Sequence, residues 1–207
     1  MTAPAAMTYD SLVSDIETYA ERTDTPFTDQ VPRFIMMAEN KLAAETKPLG
    51  YVRVVSGSLA ANTMVKPSRW RRTKSFSILT ANTRSYLFER SYEYCRTYWP
   101  DATQTETPRY YSDYDYETFF IAPTPSSSFI FELSYFERPE PLSSTQQTSW
   151  LTQYAPQVIL YACMVEAMPF LKLPEQIPVW QGLLDRALMS IAKEDESRIV
   201  DSAGQRN

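Results

Sequence analysis

Apolar residues recur at helical spacing near both ends of the chain and at strand spacing in its middle. In TYDSLVSDIETYAER (8–22), Leu12, Val13, Ile16, Tyr19 and Ala20 fall on one stripe, with Thr8 placed as N-cap. After a polar break, TDQVPRFIMMAENKLAAE (28–45) repeats the pattern through Val31, Phe34, Ile35, Ala38 and Leu42. Thr28 is placed to cap this second helix, and Pro32 is tolerated because it falls in the first turn. Pro48 and Gly50 end it.

From Gly50 the period changes. YVRVVSGSLA (51–60) is β-branched and partly alternating, and SFSILT (75–80) follows the basic turn PSRWRRTK; both read as strands. The next segment, 84–100, reads as a short strand to Phe88 and then a helix from Ser91 to Trp99. RYYSD, TFFIAP and SFIFELSYF give three more strands, the last two separated by the turn PTPSSS (123–128). After the linker PEPLSSTQQTS (139–149), SWLTQY makes a short turn and APQVILYACMVEAM (155–168) a helix that opens on Pro156. That helix is apolar around most of its circumference and is predicted to be the most buried. IPVWQGLLDRALMSIAKEDE (177–196) carries Trp180, Leu183, Leu184, Ala187, Leu188 and Ile191 on one face, and the polar stretch 196–207 is predicted to be unstructured in isolation.

The fold class expected from this switch of period is α+β, a helical bundle formed by the N- and C-terminal helices with an inserted β-rich region. The corresponding divisions are a discontinuous helical domain (1–49 and 146–195), a β-rich insertion (50–145) and a C-terminal extension (196–207).

Composition narrows the chemistry. The 207 residues hold no histidine, which removes Ser-His-Asp and Cys-His nucleophiles, histidine metal sites and histidine general bases together. Only four glycines are present, and neither the P-loop nor the dinucleotide fingerprint occurs. The two cysteines, Cys95 and Cys163, sit in aromatic or aliphatic surroundings and read as buried free thiols of a reducing compartment. A net charge of −5 argues against a general nucleic-acid binder, which carries a basic stripe. The N-terminus MTAPAAMTYD lacks a signal-peptide pattern, and the most apolar run (158–171) contains Glu166 and is short for a bilayer. The expectation is a soluble intracellular chain without membrane contact or cofactor, in which residues 1–6 are a frayed leader or Met7 an alternative start.

Three groups of residues carry candidate chemistry. In RYYSDYDYETFF, strand alternation would put Asp113, Asp115 and Glu117 on one face and Tyr114 and Tyr116 on the other. The acids suggest a divalent metal and a hydrolase; the aromatic rings suggest a stacking platform for single-stranded nucleic acid. Against these, Arg109 stands almost alone as a phosphate partner, and a sheet stabilised by aromatic cross-strand pairs explains the rings. The hydroxyls of Tyr110, Tyr111, Tyr114 and Tyr116 then suit a surface that meets another protein. In SRWRRTK, Arg69, Trp70, Arg71 and Arg72 form the strong basic cluster, read as a solvated turn or as anchors to a partner. Glu132, Glu137 and Glu140 with Glu117 invite a two-carboxylate hydrolase reading, which the commonness of carboxylates on exposed strands outweighs. No enzyme is expected.

The ordered words of SWLTQYAPQVILYACMVEAMPFLKLPEQIPVWQ (149–181) resemble the C-terminal signature of the head–tail adaptor (connector) proteins of tailed bacteriophages, short-tailed ones foremost. TPRYYSDYDYETFFIAPTPSSSFIFELSYFERPEPLS resembles the strand block of the same family, and the N-terminal pair of helices fits as well. The resemblance implies a structural virion protein located in the neck between capsid portal and tail, and in the host cytoplasm during assembly. It implies a homo-oligomeric ring, typically a dodecamer of about a dozen copies, that binds the portal protein on one side and tail or nozzle proteins on the other. Double-stranded DNA would be passing cargo only, and acidity would keep the ring from holding it. Adaptors of this type use C-terminal extensions for docking, which makes Arg198, Ile199, Val200 and Arg206 the expected portal contacts. The rival from another class is a sequence-independent nucleic-acid-binding protein using the aromatic sheet.

Overall fold

The computed structural model describes residues 6–46 and 48–199. By the compactness of their contacts the residues divide into two units, Val52–Arg138 and the segments on either side of it.

In the flanking segments, α1 (Tyr9–Ala20) starts where expected: Thr8 Oγ1 accepts from the Ser11 N–H at 3.2 Å, and Ser11 reciprocates to the Thr8 N–H at 2.8 Å. The second helix does not. A one-turn α2 (Thr25–Thr28) precedes α3 (Val31–Glu45), so Thr28 closes a turn rather than capping a helix. Pro26, near the start of α2, and burial of Phe27 favour this earlier start. Gln30 stands at the N-cap of α3 without a side-chain hydrogen bond. After the linker come α5 (Trp150–Tyr154), capped by Ser149, then α6 (Pro156–Leu171) and α7 (Ile177–Ile199). Helix α6 is buried on nearly all sides, among them Val158, Ile159, Cys163, Met164 and Ala167, because α1, α3, α5 and α7 all pack on it. Tyr19 of α1 and Tyr161 of α6 both meet Trp180 of α7, at ring-centroid distances of 5.9 and 6.0 Å. Gly50 is required by close approach: a Cβ there would lie 2.1 Å from the Trp150 indole. Among the described residues no helix is long and apolar enough to cross a membrane.

The strand unit contains β1 (Val52–Leu59), β2 (Thr63–Val65), β3 (Trp70–Thr80), β4 (Thr83–Glu89), α4 (Tyr92–Tyr98), β5 (Tyr110–Asp113), β6 (Thr118–Ala122) and β7 (Phe129–Glu137). The strands form one mixed sheet in the order β1-β7-β3-β4-β5-β6-β2, antiparallel throughout except for the short parallel pairing of Phe88 and Glu89 with Tyr110 and Tyr111. Its two edge strands, β1 and β2, are sequence neighbours joined by residues 60–62. The four steps from Leu59 to Thr63 span at most about 14 Å, so the sheet must curl until its edges approach. It forms a nearly closed barrel.

This overturns the expected helical bundle with an inserted β-rich region. The strand segment is a barrel with its own core of Leu59, Phe76, Ile78, Tyr111, Phe119, Ile121 and Leu133 among others. Full burial of a ring such as Phe76 contributes about 1.5–3 kcal/mol. A sheet filled in this way holds its shape by closing on itself, with α4 flanking β5 and β6.

Two local expectations fail with it. The basic stretch 70–74 is no turn but the first half of the long strand β3, which bulges against β7 between Trp70 and Arg72 and again between Thr73 and Ser75. Residues 114–117 are not strand but the bend between β5 and β6, so Asp113, Asp115 and Glu117 share no strand face.

Candidate interaction surfaces

The crowded tyrosines are explained by β5 and β6, which are packed on both faces. Tyr111, Phe119 and Ile121 point into the barrel; Tyr110, Phe120 and Ala122 point outward and meet α4. Helix α4 supplies Tyr94 and Tyr98 one turn apart, their rings parallel within 4° at 6.3 Å. Tyr110 stands edge-on to both, at 5.4 and 4.9 Å, and the Arg90 guanidinium lies 5.7 Å from the Tyr94 centroid and 5.8 Å from that of Tyr110. The Tyr110 phenol is pushed up, first by its hydrogen bond with Tyr94. Tyr111 is internal: its hydroxyl donates to Glu89 Oε2 at 3.3 Å, and burial raises it to about 12. Tyr114 is half exposed against Tyr92 and Phe120, and Tyr116 is 85% exposed. The four tyrosines named from sequence therefore divide: one inside, one in a stack, two outward. Tyr94, Tyr98 and Arg90 complete that stack and were missed, although YEYCRTYW already spaces its tyrosines at i and i+4.

The acidic bend is organised by Lys66, which sequence reasoning passed over. Its side chain is nearly fully buried between the rings of Trp70 and Phe119, 4.4 and 5.0 Å from their centroids. The ammonium pairs with Asp113 Oδ1 at 2.8 Å and donates to the Asp115 carbonyl at 2.7 Å. Asp115 Oδ1 in turn accepts from the Glu117 N–H at 2.8 Å. The Asp113 carboxylate thus serves the lysine and that of Asp115 the bend. Among the described residues no group of three or more such side chains is arranged to hold a metal ion.

The basic stretch is committed in part. Arg69 sits at φ 58° and pairs with Glu137 at 3.0 Å, while Arg53 takes the other Glu137 oxygen at 3.1 Å. Trp70 is half buried, edge-on to Phe119 at 5.1 Å, with its indole N–H donating to Thr73 Oγ1 at 3.3 Å. Arg71 is half buried and Arg72 exposed along β3. Glu132 pairs with Arg84 across the sheet at 2.5 Å, and Arg84 also donates to Ser77 Oγ at 2.9 Å. Glu132 and Glu137, two of the four carboxylates in the hydrolase reading, are therefore each paired with arginine.

Of the expected portal contacts, Arg198 is exposed on the last turn of α7 and pairs with Glu194 one turn back. Helix α7 runs through Ile199, beyond the expected end at 196. Val200 and Arg206 lie outside the described residues.

A family model described as SU10 adaptor protein matches residues 7–206, nearly the whole chain. No curated protein matches.

Proposed function

The chain belongs to the SU10 adaptor protein family, a phage adaptor class with a structural role in the virion neck, and we propose that it forms a closed ring between portal and tail. The observation that carries this reading is the extent of the match, residues 7–206, which includes both the helical segments and the barrel. The ring would hold about a dozen copies and let double-stranded DNA pass. A net charge of −5 suits that passage, since an acidic wall repels the phosphate backbone and does not arrest it.

Side-chain chemistry supports an interface role for the barrel. Stacked tyrosines backed by an arginine are the residue types that anchor protein contacts, combining rigid apolar area with hydroxyl donors. We assign Tyr110, Tyr114 and Tyr116 with Arg69, Arg71 and Arg72 to contacts with neighbouring subunits or tail proteins; Trp70 and Tyr111 hold the surface from beneath. Arg198, Ile199, Val200 and Arg206 are assigned to the portal. The isolated chain is mostly monomeric, because acidic subunits repel one another without a template.

Sedimentation with the cognate portal tests the assembly. The expected outcome is a discrete, faster complex that takes up many copies per portal. Independent boundaries for the two proteins at every salt concentration would reject it.

A further inference from the structure

The helical segments enclose an open cleft of about 780 Å³ between the C-terminal half of α7, the end of α3 and α5. Its floor is apolar, formed by Leu42, Trp150, Leu151, Leu188 and Ile191, and the exposed Met189 also lines it. Its rim is acidic: Glu45, Asp185, Asp195 and Glu196. Asp195 Oδ2 accepts from the Leu49 N–H at 2.7 Å and Asp185 Oδ1 from the Gln181 side-chain amide at 2.8 Å. Both bonds come from neutral donors, so they leave the negative charge in place. No lysine or arginine is among the described lining residues.

The cleft has the size of a ligand site and the charge pattern of a peptide groove. Three occupants compete, and composition decides among them. Residues 200–207, VDSAGQRN, bring one valine and one alanine as apolar side chains, too little to fill this volume. A second copy brings more acid to an acidic rim; its basic stretch on β3 turns Trp70 inward and so offers no apolar anchor beside its arginines. What remains is a segment with apolar side chains along one face and cations at its flanks.

We propose that this cleft is a docking groove for a cationic amphipathic helix of a partner protein. Its apolar anchors, at i, i+3 or i+4 and i+7, would enter between Trp150 and Leu188, while lysine or arginine would meet Glu45 and Glu196 at the rim. The inference concerns the chemistry of the docking segment and stands apart from ring assembly.

The test uses the full chain and a synthetic helix of about fourteen residues, leucine on one face and lysine elsewhere, beside a twin carrying glutamate for lysine. Binding is read by peptide anisotropy and by tryptophan fluorescence, to which Trp150 in the floor responds. The lysine peptide is expected to bind at least about tenfold more tightly than its twin, with an affinity that falls as salt rises. Ala192 is exposed and lines the cleft, so Ala192→Trp fills it without burying a misfit and should weaken binding about tenfold or more. The pair Glu45→Gln with Glu196→Gln should weaken it several-fold, whereas Glu93→Gln with Glu175→Gln, exposed and outside the cleft, should not. Equal binding of both peptides, binding unchanged by Ala192→Trp, or binding by neither peptide would overturn the proposal.

Discussion

Glu39 and Lys66 are buried ionisable side chains held in opposite ways. Glu39, on α3, faces the linker, where the Leu142 N–H donates to both carboxylate oxygens at 3.3 and 3.1 Å. Burial outweighs that hydrogen bond and lifts the carboxyl from 4.5 to about 7. A folded-state value above the unfolded one means that the fold prefers the protonated acid. Its stabilising effect is therefore complete below about pH 4.5 and is lost as pH rises through about 7. Glu39→Gln keeps the shape and an acceptor without the charge. It should match the parent near the acid end and exceed it by about 1–3 kcal/mol above neutrality, measured by urea unfolding across that range. Parallel curves for the two proteins would contradict this account.

Around Lys66, Asp113, two backbone carbonyls and two aromatic faces replace the water lost on burial. Removing it empties the space between Trp70 and Phe119 and releases the bend at 114–117. Lys66→Ala should therefore cost about 2–4 kcal/mol, and Lys66→Met, which restores the stem but not the donors, should recover part of that loss. A cost within about 0.5 kcal/mol for Lys66→Ala, as expected of a surface residue, would show that the lysine holds nothing.

At the scale of elements, the hairpin of β3 and β4 turns through Ala81 and Asn82, at φ 47° and 69°, between the paired Thr80 and Thr83. Both central residues are left-handed, as a two-residue turn matched to the strand twist requires. Alanine gains nothing there, whereas asparagine tolerates the conformation. Ala81→Asn should raise stability by about 0.5–1 kcal/mol in thermal unfolding; a loss of similar size would mean that the turn is not of this type.

The helices were the most legible elements. The stripes of α1 and α7, the all-round apolar α6 and the helix after Ser91 are local patterns, and local patterns are what one strand of text preserves. The strands were read less well, for three separate reasons. The three-residue β2 carries no periodicity. In β3, Arg72 and Lys74 are outward residues, and their charge made WRRTK look like a turn. The bend at 114–117 alternates tyrosine and acid, which imitates a strand that the backbone does not form. The surface was half visible for the same cause: tyrosine content showed where rings gather, but pairing Tyr110 with Tyr94 and Tyr98 depends on α4 folding against β5.

At the scale of the whole molecule, the corrected point is the sheet. Alternation reveals strands but not their order, and here closure follows from pairing β1 with β7 and β2 with β6, contacts far apart in sequence. Family membership was legible earlier than fold, because an ordered set of short words survives where architecture is hidden. The same membership makes the chain a structural part of a phage neck, and the account built on it centres on a ring at the portal. The most direct measurement is a cryo-electron reconstruction of the portal assembled with this protein. A closed ring of this chain seated on the portal is expected, with an open axial channel and Arg198 and Ile199 on the portal side. A portal bare of the chain, or copies bound singly without contacting one another, would contradict it.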